Sequence, residues 1–134
     1  MFSFIRLTWI IQYSINMTDG YKQQLESIGV DLERAIDRFV GNEAMYERFL
    51  VRFLQDESYR KLNEYINKGD IHQAFVQAHT LKGVAGNLEF HGLYRVLEPM
   101  TEHLRNNDLS TLPEEVELLK VRYEEVCRVI AGNK

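Results

Sequence analysis

The chain has 134 residues, 45% of them apolar, with 16 Lys and Arg against 20 Asp and Glu for a formal net charge of −4. That length buries a core without staples, and basic residues scattered among glutamates leave no concentrated basic face for nucleic acid. A single cysteine, Cys127, excludes an intramolecular disulfide and a cysteine zinc site, and a reducing, cytoplasmic setting is expected.

Residues 1–16 are apolar with one charge, Arg6, and give way abruptly to ordinary soluble sequence at Met17-Thr18-Asp19-Gly20. A membrane span needs about 20 apolar residues and a signal peptide needs a small-residue cleavage site, and neither is present. Ile5, Leu7, Trp9, Ile11, Tyr13, Ile15 and Met17 alternate as in a strand, yet no partner strand is visible. The segment reads as a helical or irregular extension on a domain formed by residues 17–134. Self-association, a peripheral membrane contact and a misassigned start at Met1 are its alternatives.

Thr18 or Asp19 caps a first helix running to about Ile28, and Gly29 suits the left-handed position that ends it. Asp31 caps a helix with Leu32, Ala35, Ile36 and Phe39 on one face, stopping at Gly41. Asn42 caps a longer one through Met45, Phe49, Leu50, Phe53 and Leu54. After a bend at Asp56 to Ser58, Tyr59, Leu62, Tyr65 and Ile66 mark a helix ending at Lys68-Gly69. Asp70 with Gln73 resembles a capping box for the next.

That next helix carries an apolar stripe, Ile71, Ala74, Ala78, Leu81, Ala85 and Leu88, which reads as its buried side. On the opposite side His79 is followed at i+3, i+4 and i+7 by Lys82, Gly83 and Gly86. Two glycines inside a helix cost together about 2 kcal/mol relative to alanine, so a benefit of that size is expected. Close approach of a neighbouring helix is one such benefit. Clear space around an exposed imidazole, with Lys82 offsetting the charge of a phosphoryl group, is the other, and the placement of both glycines beside His79 favours it.

Beyond a turn at Asn87 to Gly92, Leu93, Val96, Leu97, Met100 and Leu104 form a second core stripe facing the first, with a kink expected at Pro99. Asn106-Asn107-Asp108 reads as a loop. Thr111 with Glu114 makes another capping-box candidate, Pro113 fits a first turn, and Val116, Leu119, Tyr123, Val126 and Ile130 mark the last helix. There Cys127, among Val126, Val129 and Ile130, reads as a buried inert thiol. The fold class is all-α, an up-and-down four-helix bundle with additional N-terminal helices.

The run His79-Thr80-Leu81-Lys82-Gly83-Val84-Ala85-Gly86-Asn87-Leu88 resembles the His-x-x-Lys-Gly pattern and small-residue run of histidine-containing phosphotransfer (HPt) domains. Upstream, Gly29-Val30-Asp31-Leu32-Glu33-Arg34-Ala35 and Phe39-Val40-Gly41-Asn42-Glu43 are similar to that family's first helix and turn. The resemblance covers about residues 29–109 by motif and the last helix by pattern. One departure is Glu89, where many members carry a small residue.

The resemblance implies a phosphocarrier in a multistep two-component phosphorelay. His79 would accept a phosphoryl group on Nε2 from a receiver-domain aspartyl-phosphate and pass it to another receiver, with a hybrid sensor kinase upstream. Lys82 would neutralise charge, and Phe75, Gly83 and Gly86 would serve receiver docking and access, with Phe75 as core its alternative. No phosphate-binding glycine loop and no magnesium-holding carboxylate cluster is visible, so the chain is expected to be a carrier rather than an enzyme, a monomer without cofactor or metal, its partner bringing Mg2+. A plain helical interaction module without phosphotransfer is the main alternative. A chemotaxis-kinase type domain is a further one, less expected because no kinase catalytic domain is visible within these 134 residues. His72 lies seven residues from His79, too far to share an ion comfortably, and His91 and His103 read as surface groups.

Overall fold

The computed structural model of the chain describes residues 17–134, so the expected N-terminal extension lies outside the described residues. Seven helices follow one another among them: α1 (Asp19–Ser27), α2 (Leu32–Arg38), α3 (Glu43–Phe53), α4 (Ser58–Lys68), α5 (Ile71–Asn87), α6 (His91–Arg105) and α7 (Leu112–Ala131). The caps are local chemistry. Thr18, Asp31, Asn42 and Asp70 each accept a hydrogen bond from the backbone N–H three residues on, which relieves one orphan donor per helix start. Gly69, at φ 74°, closes α4 in left-handed backbone, and Gly29, at φ 90°, follows α1 in the same way.

Helix α5 is central, packed against α4 on one side and α6 on the other, and α6 packs in turn on α7. Its buried face is Ala74, Ala78, Leu81 and Ala85, all fully enclosed, so three methyl groups let both neighbours come close. Leu93, Val96, Leu97, Met100 and Leu104 of α6 and Leu119, Val126 and Ile130 of α7 complete the core. Tyr59 of α4 stacks on Tyr123 of α7, centroids 3.8 Å apart, and closes the four-helix bundle. The first three helices lie on it: α1 meets α2 and α7, and α3 meets α2 and α7. An isolated antiparallel bridge joins Val30 to Phe90, tying the α1–α2 connection to the α5–α6 turn.

Three expectations change. The buried face of α3 is centred on Tyr46, Leu50 and Phe53, while Met45 and Phe49 are 37% and 39% exposed. The Tyr46 hydroxyl, donating to the Leu88 carbonyl at 2.9 Å, lets a residue with a polar tip enter the core. Asp70 caps α5, but its own N–H donates to the Tyr65 carbonyl, so the box is one-sided. Thr111 makes no side-chain cap; its hydroxyl turns to Glu115 instead. Helix α6 runs on through Pro99, which lies on its exposed side.

Candidate functional site

The outer face of α5 holds His79 and Gly83 exposed, with Lys82 and Gly86 half-buried beside them. Helical geometry places all four in one angular sector, opposite the alanine face. Lys82 has no carboxylate within ion-pair reach among the described residues. A methyl group on Gly83 would meet nothing within 4 Å, so helix packing gives no reason for that glycine. Gly86 differs: its added methyl would meet the Tyr94 ring at 3.5 and 3.6 Å, an ordinary contact from α6.

Phe75, one turn before His79, combines the two roles weighed for it. It packs on the core, yet its ring lies against the imidazole with centroids 6.0 Å apart, and the Arg105 guanidinium covers it at 4.9 Å. The histidine is thereby braced by an aromatic ring on one side and left open on the other.

Along the same face runs a groove of about 430 Å³ lined by Arg34, Arg38, Lys82, Gly83, Gly86, Asn87, Glu89, His91 and Tyr94. Glu89 is its floor. The residue is 3% exposed and sits at φ 61°, left-handed backbone that costs a non-glycine residue roughly 1–2 kcal/mol. Its Oε1 accepts from Nε of Arg38 at 2.7 Å and lies 3.6 Å from Nε of Arg34, and its Oε2 is 2.6 Å from Nε2 of His91. Burial pushes this carboxyl up, but the hydrogen bonds from His91 and Arg38, together with their charges, outweigh it and hold the group below the usual carboxylate range.

His91 is therefore a half-buried partner of Glu89 rather than a free surface group. His103 likewise departs from its expected place: half-buried, its Nδ1 lies 3.0 Å from Oε2 of Glu115. Asp31, Glu89 and His91 bring ligand atoms within 4.8 Å of one another. They do not fit a metal ion, because two guanidinium groups flank Glu89 and Asp31 is engaged in capping α2. Cys127 is half-buried, and burial raises its thiol pKa, the behaviour of an inert side chain.

A second hollow, about 550 Å³ and largely apolar, opens beside the groove, lined among others by Phe39, Phe49, Phe53, Val84 and Leu88. Arg38 and Asn87 border both. No helix among the described residues is long and apolar enough to cross a membrane. Sequence reasoning located the α5 stripe but missed the Glu89 cluster, whose one signal was the departure from the family's small residue at that position.

A family model described as "Hpt domain" matches residues 21–128, from α1 to near the end of α7. No curated protein and no solved structure matches the chain.

Proposed function

The chain belongs to the Hpt domain family, a family of phosphorelay modules, and from that premise we propose that it carries a phosphoryl group on His79 between two receiver domains. The observation that carries this reading is the exposed imidazole on the outer face of α5, with a cation one turn away that has no ion-pair partner, and space over Gly83 that is open, among the described residues. Phosphoryl transfer needs positioning and charge neutralisation more than covalent machinery, so a carrier can be this simple when its partner supplies the acidic site and its magnesium.

In the transfer, the Nε2 lone pair of His79 forms the P–N bond as the P–O bond to the receiver's aspartate breaks. The carboxylate leaves with the electron pair, and the ring proton stays on Nδ1. Lys82 offsets the charge of the phosphoryl oxygens, and Phe75 limits the rotation of the ring. The return step, to a second receiver, runs the same chemistry backwards. Gly83 and Gly86 keep the approach to the imidazole low, and a hybrid sensor kinase is the upstream source.

The test is to mix the purified protein with phosphorylated receiver domains from the same cell. Acid-labile, base-stable label is expected on the wild type and none on a folded His79→Gln variant. Absence of label from every receiver, or equal label on His79→Gln, would overturn the reading in favour of a plain interaction module.

A further inference from the structure

Glycine would make the turn at residue 89 without strain and without burying a charge. What glutamate adds is a hold on Arg38. Stability alone is a weak reason for that hold, since a buried ion pair replaced by groups without charge is often neutral or better. The geometry of the hold is informative: Glu89 takes Arg38 through Nε alone, the inner edge of the guanidinium. Neither Nη group makes a hydrogen bond among the described residues, on a side chain that is 45% exposed. A guanidinium so fixed presents its two-pronged edge, the geometry that takes up a carboxylate.

We propose that Arg38, set in place by Glu89, is a docking residue for a carboxylate on the acidic face of the receiver domain, and that Glu89 is the positioning residue. The inference rests on the relay reading of His79. Three cations, Arg34, Arg38 and Lys82, line the groove against the single carboxylate of Glu89, so its balance suits an acidic partner. Arg38 also borders the apolar hollow of Phe39, Phe49 and Phe53, so a carboxylate beside an apolar anchor meets both at once. Gly86 and Asn87, which line the groove next to Arg38, lie about 10 Å further along α5 than His79. That is beyond reach of the transferred phosphoryl group but inside the footprint of an ordinary interface, about 800 Å² per partner. Arg38 therefore acts on binding and not on the chemical step.

The experiment uses the full chain and a phosphorylated receiver that labels its His79, and measures transfer over a range of receiver concentrations and salt. Arg38→Gln is expected to raise KM about 10-fold, as loss of one charge-assisted hydrogen bond does, with the maximal rate unchanged and a weaker salt dependence. Arg38→Lys, which keeps the charge but not the fork, should rescue KM only in part. Glu89→Gly should raise KM several-fold in the presence of Arg38, roughly 3-fold or more, and the double variant should match Arg38→Gln alone.

That non-additivity separates positioning from a general structural role. The double variant also leaves no orphaned buried carboxylate, which keeps the test valid should Arg38→Gln alone unfold. Wild-type KM in Arg38→Gln, a loss confined to the maximal rate, or additive effects in the double variant would each overturn the proposal while leaving the relay reading standing. A wild type that no receiver labels would overturn both.

Discussion

Lys82 and Gly83 are adjacent in sequence, and replacing either by alanine should slow transfer, but only the change at Gly83 should alter stability. Lys82 has no ion-pair partner among the described residues, so Lys82→Ala should leave unfolding unchanged while slowing transfer about 10-fold, the effect of one charge-assisted contact. Gly83 sits in helical backbone with no atom near the place a methyl group would take. Gly83→Ala should therefore stabilise the protein by about 1 kcal/mol, roughly 4 °C in Tm, while slowing transfer, because the methyl occupies the partner's approach. Thermal melts and transfer assays on one preparation test the pair of effects, and a variant that is more stable and equally fast would remove Gly83 from the docking face. The angular positions of His79, Lys82, Gly83 and Gly86 were legible in the sequence because a helical period fixes them. Glu89 was not, since left-handed backbone and a partner 51 residues away have no periodic signature.

Helix starts were legible for the same local reason: a capping side chain and the N–H it satisfies lie three residues apart. The inward face of α3 was not legible, because apolar character favoured Met45 and Phe49 whereas tertiary packing buries Tyr46. Its phenol crosses to the end of α5 and donates to the carbonyl of Leu88, the C-cap residue, whose oxygen has no later helical turn to serve it. Phe39 stands against it, with ring centroids 5.5 Å apart, so α2, α3 and α5 meet at this one side chain. Tyr46→Phe keeps the ring and removes the donor. The expected cost is about 1–2 kcal/mol, seen as a lower urea midpoint at unchanged m. A midpoint equal to that of the wild type would show that the Leu88 carbonyl finds another donor.

The order of helices and their antiparallel sequence followed from caps and stripes, whereas the contacts that join α1, α2 and α3 to the bundle are long-range, and the titratable groups among them contribute to the pH dependence of the whole molecule. On the acid side Glu89 has a folded pKa below its usual value. Its contribution is fully present above the unfolded value of about 4.3 and is lost as pH falls through the lower folded value, so Glu89→Gly should flatten the acid limb of the stability profile. On the alkaline side burial raises four phenols, Tyr21, Tyr46, Tyr59 and Tyr123, together with the Cys127 thiol, and Tyr21 and Tyr46, 4% and 0% exposed, are the most enclosed of the four. Burial, with Glu47 adding to it, pushes Tyr21 from 10.0 up to about 12. Burial pushes Tyr46 up as well, and Tyr21 and Glu89 push it further. Below pH 10 the phenols are neutral in either state, and only the raised Cys127 thiol lowers stability as pH passes the ordinary thiol value of about 8.5. Above pH 10 the unfolded chain releases four phenol protons that the native state retains, so stability falls as pH rises, by up to about 1.4 kcal/mol per pH unit for each phenol. Urea midpoints taken from pH 7 to 11 should therefore show a gentle decline from about pH 8.5 that steepens near pH 10. The phenols' share of that slope should fall by about a quarter in Tyr46→Phe, because one of the four retained phenol protons is gone. An alkaline slope identical in the variant would mean that Tyr46 ionises without unfolding, and that the joint between α3 and the end of α5 opens to water before the bundle does.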